Sequence, residues 1–254
     1  MTDAGLSDFE HTTFTHGGTE RDVFRLGTGP AVIVIAEMPG ITPKVIGFAR
    51  KVAAIGCTAV LPHLFGEPGR VATHGAKPDR GDLANMLKTI VPACVSREFT
   101  VFATGKTSPV VTWLRALAKD EHERCGGPGV GAVGMCFTGG YALAMAADDR
   151  LLAPVLSQPS MPVGITKKQK HGIDISPADL AKVKDRCANA GLEVLGLRFK
   201  SDRLVPAERF AFLREELGDA FTGVELEDED ANPNAAMDPH SVLNLFRTRL
   251  LTPA

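Results

Sequence analysis

A cysteine in a glycine-rich turn is the residue best placed to do chemistry. Cys136 stands in the stretch 134–140 (GMCFTGG), after an apolar run and before the small-residue segment 141–147. A strand that turns abruptly into a helix strains the turn residue and projects its side chain from the sheet edge, and nearby glycines relieve the crowding. The helix N-terminus favours a thiolate, and the N–H of Phe137 is the natural first donor to an oxyanion. We therefore predict a nucleophile rather than a buried structural cysteine.

An aspartate and a histidine follow in the order nucleophile, acid, base that α/β-hydrolases use. Asp202 comes just after the strand-like run 193–199, and His240 is the one histidine beyond it, at the start of a helical pattern. A turn aspartate that bonds its own backbone and a helix-capping histidine are the ordinary alternatives. The order favours a triad of Cys136, Asp202 and His240. His171, in a polar loop between nucleophile and acid, is a weaker candidate base.

A carboxylate closes the most apolar strand-like run. Residues 31–36 (AVIVIA) are typical of a strand buried on both faces, and Glu37 follows directly. Ligands of parallel α/β sheets bind at the carboxyl ends of the strands, which is where Glu37 would lie. The alternative is that Glu37 is exposed to solvent and caps a nearby turn; we favour the functional role.

Strand and helix patterns alternate around these residues, which predicts an α/β fold. The alternation implies a mostly parallel central sheet with helices on both faces, a three-layer arrangement. No repeat, low-complexity tract or composition shift marks a second domain, so residues 1–254 are predicted to form one. Strands are predicted at 31–36, 58–61, 130–133, 152–156, 193–199 and 223–226, and helices at 42–55, 83–90, 110–119, 141–147, 176–190, 206–217 and 241–250.

The chain resembles the dienelactone hydrolase family, α/β-hydrolases whose cysteine nucleophile lies in Gly-x-Cys-x-Gly-Gly. Gly134 and Cys136 match that motif, while the glycine doublet comes one residue later here, after Thr138. The segment 35–41 (IAEMPGI) resembles the family's glutamate after its second apolar strand. The acid loop and the last histidine recur in the family's order, so the resemblance spans most of the chain and implies an α/β-hydrolase fold.

The resemblance also implies an activity and roles for several residues. Members hydrolyse carboxylic esters or lactones through a Cys-His-Asp triad and a covalent acyl-thioester, with neither cofactor nor metal. Glu37 would contact the resting cysteine and take part in forming the thiolate. The N–H of Met38 would complete the oxyanion hole with that of Phe137. Family arginines bind the substrate's carboxylate, and Arg70 and Arg80, in the irregular segment 64–80, are the candidates here.

Composition and charge bear on the possible partners. A formal net charge of −2, one tryptophan and one tyrosine argue against nucleic acid, and no apolar run is long enough to cross a membrane. The acidic start 1–10 does not resemble a secretory signal, so a reduced, cytoplasmic protein is predicted. The cysteines are scattered without a Cys-x-x-Cys pair, which argues against a disulfide framework or a structural zinc: Cys57, Cys94, Cys125, Cys136 and Cys187.

A small-molecule ester or lactone is therefore the expected partner, and the oligomeric state is left open. Two alternatives remain. One is a cysteine hydrolase of other small esters or thioesters on the same scaffold. The other is an α/β-hydrolase fold that only binds, which would not require the ordered set Glu37, Cys136, Asp202 and His240.

Overall fold

The computed structural model describes residues 5–69, 105–227 and 239–252. Arg70, Arg80, Cys94 and the predicted helix 83–90 lie outside the described residues. Within these ranges, none of the helices combines the length and the apolar character needed to cross a membrane.

Eight strands form a single sheet. The bounds of the strands agree with the predicted runs to within two residues wherever a strand was predicted. The strands are β1 (Glu10–His16), β2 (Thr19–Leu26), β3 (Ala31–Ile35), β4 (Thr58–Pro62), β5 (Val130–Met135), β6 (Leu151–Ser157), β7 (Val194–Phe199) and β8 (Phe221–Leu226).

The sheet order confirms the α/β-hydrolase fold. The strands lie in the order β1-β2-β4-β3-β5-β6-β7-β8. The strands β4, β3, β5, β6, β7 and β8 pair in parallel, whereas β2 runs antiparallel to both β1 and β4. The carboxyl ends of β3, β5, β6 and β7 therefore meet at one edge of the sheet.

The strands β1 and β2 were missed by sequence reasoning, because their pattern is weak. Every residue of β1 is exposed or half-buried, and in β2 the fully covered positions are Val23 and Arg25. Arg25 can be buried because its guanidinium donates two hydrogen bonds to the carboxylate of Glu121. A polar hairpin at the sheet edge, whose buried arginine pairs with a residue outside the hairpin, does not show the apolar run that identified the central strands.

Helices connect the strands and cover both faces of the sheet. The predicted helix 110–119 is longer than expected and ends at Gly126, whose φ of +70° suits glycine. Ser108 does not cap it, since its hydroxyl donates to Asp174 at 2.5 Å instead. The helices are α1 (Pro43–Ala54), α2 (Val110–Cys125), α3 (Tyr141–Met145), α4 (Lys167–Lys170), α5 (Pro177–Asn189), α6 (Ala207–Leu217) and α7 (Pro239–Phe246), which a π-helical turn, Arg247–Leu251, extends.

Two apolar cores lie on the two faces of the sheet. Side chains of a strand alternate between faces, and Ile33 and Ile35 of β3 pack in one core with α2, α3, α5 and α6. Val32 and Val34 pack in the other core with α1 and α7. Because both faces of β3 are covered, all five of its residues are fully buried.

Candidate active site

The turn after β5 holds Cys136 in a strained conformation. Its φ is +51°, and Gln158 at +52° is the one other non-glycine residue of the described ranges with a positive φ. L-residues rarely adopt this region, and such strain concentrates at functional sites. Residues 136–138 form a short 3₁₀ turn that leads into α3. The predicted strand-to-helix turn is therefore present, with Cys136 at its apex.

Two glycines make room for this turn. A Cβ on Gly134 would lie 2.1 Å from the carbonyl oxygen of Thr138, and one on Gly139 would lie 2.4 Å from Cα of Pro159. Both contacts are with backbone atoms that cannot swing aside. The glycines are therefore required sterically, at the positions the sequence pattern indicated.

Replacing Gly134 with alanine is expected to displace the turn. Relief of the 2.1 Å contact has to move backbone, so we expect a loss of about 1–3 kcal/mol in the free energy of unfolding, together with most of the activity. Gly47 is the matched control, because it lies in α1 and a Cβ added there would meet no atom within 4 Å. Gly47→Ala should be neutral or stabilising by up to about 1 kcal/mol. Urea unfolding of both variants checks this; equal stability of the two would contradict it.

Thr138 occupies the place where the resembled motif has its first glycine of the doublet. The hydroxyl is fully buried and donates to the carbonyl oxygen of Ile35 at 2.9 Å. It also accepts the N–H of Met135 at 2.9 Å. Thr138 thus ties the nucleophile turn to the end of β3, two residues before Glu37.

Two carboxylates act on the sulfur of Cys136 electrostatically. Burial is the main reason that the pKa of the Cys136 thiol is raised, and the negative charges of Glu37 and Asp202 raise the pKa further. Hydrogen bonds from Ser160 and from the N–H of Phe137 act in the opposite direction. Burial and the two carboxylates thus oppose formation of the thiolate, and the Phe137 N–H already lies beside the sulfur.

Asp202 lies in the loop after β7, as predicted. One carboxylate oxygen accepts the N–H of Leu204 at 2.8 Å, so the turn bond that was the ordinary alternative is also present. The other oxygen faces Gln158. With the Gln158 amide oriented to satisfy both neighbours, its nitrogen donates to Asp202 at 3.1 Å and its oxygen accepts the N–H of Phe199 at 3.1 Å. The acid is thus held from two sides.

Gln158 and Ser160 belong to the site and were missed by sequence reasoning. Both are buried and follow β6, the strand next to β5. The hydroxyl oxygen of Ser160 lies 3.6 Å from the sulfur of Cys136. The available signal was two polar residues directly after an apolar strand, the same signal that identified Glu37.

An aromatic contact brings the loop after β4 to the site. Phe65 packs edge-on against Phe137, with ring centroids 5.6 Å apart. Phe137 in turn packs against Tyr141 at 6.5 Å. The described part of the irregular segment 64–80, residues 64–69, therefore reaches the residue whose amide would bind the oxyanion.

His240 lies in the first turn of α7 and is exposed. Six residues further on, Phe246 packs against Gly131, near the amino end of β5. His240 lines a groove of about 360 Å³ that runs along α7 and also contains residues from the start of β7 and from β8, namely Glu193, Val194, Leu195, Thr222 and Val224. Residues 228–238, which lead into it, lie outside the described ranges. Its role as the base stays a prediction.

Comparisons with known proteins agree with the fold and with the family resemblance. The model of the dienelactone hydrolase family matches residues 22–217, well over half of the chain. No curated protein matches the sequence.

Solved structures share the architecture at low sequence identity. Dienelactone hydrolase from Anabaena variabilis superposes with a TM-score of 0.61 at 14% identity, over 96% of this chain and 99% of that one. A dienelactone hydrolase-like promiscuous phosphotriesterase from metagenomic libraries gives a TM-score of 0.61 at 17% identity, over 95% and 98%. A cold-adapted esterase from an Arctic intertidal metagenomic library gives 0.56 at 16%, over 95% and 94%. At these identities the likeness is one of fold.

Proposed function

The chain belongs to the dienelactone hydrolase family and is a hydrolase of ester bonds, and we propose that it cleaves small carboxylic esters or lactones with Cys136, His240 and Asp202 as its triad. The observation that carries this proposal is the position of Cys136. It has a strained backbone at the end of β5. The negative charges of Glu37 and Asp202, in the loops after β3 and β7, raise the pKa of its thiol. A structural cysteine has no need of either feature.

The proposed reaction has two steps. The thiol proton of Cys136 passes to His240 with the participation of Glu37, and the sulfur attacks the ester carbonyl to form a C–S bond. The amides of Phe137 and Met38 hold the oxyanion. The C–O bond breaks as His240 protonates the leaving oxygen, which produces an acyl-thioester.

Water then completes the cycle. His240 takes a proton from the water, whose oxygen attacks the thioester carbonyl, and the acid leaves as the C–S bond breaks. Asp202 orients His240 throughout, and Gln158 and Leu204 hold Asp202. The thiol proton ends on the leaving oxygen in the first step, and the proton that His240 takes from water passes to the Cys136 sulfur in the second, so the thiol is regenerated and the proposed cycle uses no cofactor.

A covalent trap tests the proposed intermediate. The enzyme is mixed with p-nitrophenyl acetate, quenched in acid within the first turnovers, and digested for mass spectrometry. We expect one acetyl group on the peptide that contains Cys136, and its removal by neutral hydroxylamine, which cleaves thioesters. Acetylation of another residue, or turnover without acetylation, would contradict the mechanism. A screen of lactones and short esters then identifies the preferred substrate.

Replacement of Glu37 is expected to separate resting reactivity from turnover. A negative charge near a thiol raises the pKa of that thiol, so Glu37→Gln should lower the pKa of Cys136 and increase its alkylation by iodoacetamide at pH 7. Turnover should nevertheless fall by about 10²-fold, because a positioned proton acceptor contributes roughly that much.

Glu227 provides the control for this experiment. It is also a carboxylate that follows a strand at the same sheet edge, but it is exposed and paired with Lys200. Glu227→Gln should leave both alkylation and turnover unchanged. If Glu37→Gln behaves like the control, Glu37 is a turn residue with no part in the reaction.

A further inference from the structure

The segment after β6 places a hydroxyl against the nucleophile. The Ser160 hydroxyl oxygen lies 3.6 Å from the sulfur of Cys136. The Ser160 N–H donates to the carbonyl oxygen of Cys136 at 3.0 Å, so backbone and side chain both contact the same residue. The side chain is 5% exposed, and water therefore does not replace its partner easily.

We propose that Ser160 is a further catalytic residue, whose hydroxyl donates a hydrogen bond to the Cys136 thiolate and stabilises it before and after attack. This rests on the proposed function, since it requires that Cys136 be the nucleophile. A serine hydroxyl both donates and accepts. It can accept the S–H of the resting thiol and, by rotation about its C–O bond alone, donate to the thiolate.

The surroundings of the sulfur explain why such a donor matters. Burial and the carboxylates Glu37 and Asp202 all raise the pKa of Cys136 and so oppose formation of the thiolate. The groups that act in the other direction are the Ser160 hydroxyl and the Phe137 N–H. In the proposed mechanism the Phe137 N–H turns to the oxyanion once substrate is attacked. Ser160 then remains as the hydrogen-bond donor to the Cys136 sulfur when the C–S bond of the acyl-thioester breaks.

A buried guanidinium holds the backbone on both sides of Ser160. Arg209 of α6 is fully buried and donates to the carbonyl oxygens of Pro159 and Pro162, both at 2.6 Å. It also donates to that of Gly172 at 2.8 Å. Burial lowers the pKa of Arg209 to about 10, so the side chain stays charged at neutral pH. The two carbonyls lie on either side of Ser160, which is thereby fixed before the reaction begins.

Removal of the hydroxyl tests the proposal. Ser160→Ala should lower kcat about tenfold with little change in KM, because a hydrogen bond to a charged group contributes roughly that factor. The midpoint of the pH profile of Cys136 alkylation, followed on its peptide by mass spectrometry, should rise by about one unit. Ser160→Thr keeps the hydroxyl and should restore both quantities in part. Thr166→Ala removes an exposed hydroxyl from the same loop and should change neither.

The pH profile distinguishes a catalytic role from a packing role. The titratable groups around the sulfur are Glu37 and Asp202 and, in the proposed triad, His240; none is altered in Ser160→Ala. All measurements are made well below the Tm of each variant, so that kcat and the alkylation midpoint are measured on folded protein even where the substitution is destabilising. A fall in kcat with an unchanged alkylation midpoint, or a variant indistinguishable from wild type, would overturn the proposal. If Cys136→Ala itself stays active, the proposed function has failed instead.

Discussion

Replacing Cys136 with alanine is expected to lower kcat for ester hydrolysis by about 10⁴-fold or more, because removal of a covalent nucleophile leaves only binding and oxyanion stabilisation. The far-UV spectrum and the unfolding midpoint should stay close to those of wild type. Alanine fits the turn sterically, although the positive φ of +51° remains unfavourable for any L-residue. Turnover of p-nitrophenyl acetate, measured at matched protein concentrations, checks the prediction.

The other cysteines supply controls within the same chain. Cys57 is fully buried, and burial raises the pKa of its thiol to about 11. Burial also raises the pKa of Cys125 and Cys187, on α2 and α5. Alanine at any of the three should leave turnover within about twofold, apart from the stability lost where Cys57 leaves a small cavity. An inactive Cys125→Ala or Cys187→Ala beside an active Cys136→Ala would refute the assignment.

Replacing His240 with alanine is expected to lower kcat by about 10³-fold or more, since the base acts in both proposed steps. Asp202→Ala should lower kcat by a smaller factor, because it removes the group that orients the base and not the base itself. The double variant should be only slightly slower than His240→Ala, because members of a triad act as a unit and their effects are strongly non-additive. Steady-state kinetics of the two single variants and the double variant measure this.

His171 is the matched histidine control. It lies between Cys136 and Asp202 in the chain, is exposed, and pairs with Glu215 at 3.1 Å. It also packs on Phe212. His171→Ala should keep wild-type turnover. If kcat of the Asp202→Ala, His240→Ala double variant falls by the product of the two single losses, the two residues do not act together. An active His240→Ala would show that another residue is the base.

The parts of the molecule predicted from sequence are those that a single stretch of chain specifies. The apolar β-branched run before Glu37 is typical of a strand buried on both faces, and β3 is one. The glycines around Cys136 indicate a crowded turn because close backbone contacts within that turn require them. Asp202 was identifiable because strand, turn and helix start follow each other without interruption.

The edge hairpin of β1 and β2 shows where local patterns fail. Its one buried charge, and one of its backbone carbonyls, are paired with side chains that are distant in the chain. Arg25 lies in the interior against Glu121, 96 positions away, and the Trp113 ring nitrogen donates to the carbonyl of Thr19. Neither partner can be identified from the hairpin's own residues, so the pattern resembles that of a loop.

The sequence by itself determined the central parallel strands, the glycine-rich turn that holds Cys136, and the order in which Asp202 and His240 follow it, since each depends on neighbours along the chain. Only the tertiary structure decided what surrounds the sulfur. Ser160 reaches Cys136 because β6 lies beside β5. The carboxylate of Asp202 reaches Gln158 because β7 lies beside β6. Arg209 fixes that loop from α6. Such contacts arise from the order of strands in the sheet, which brings together residues that are far apart in the chain.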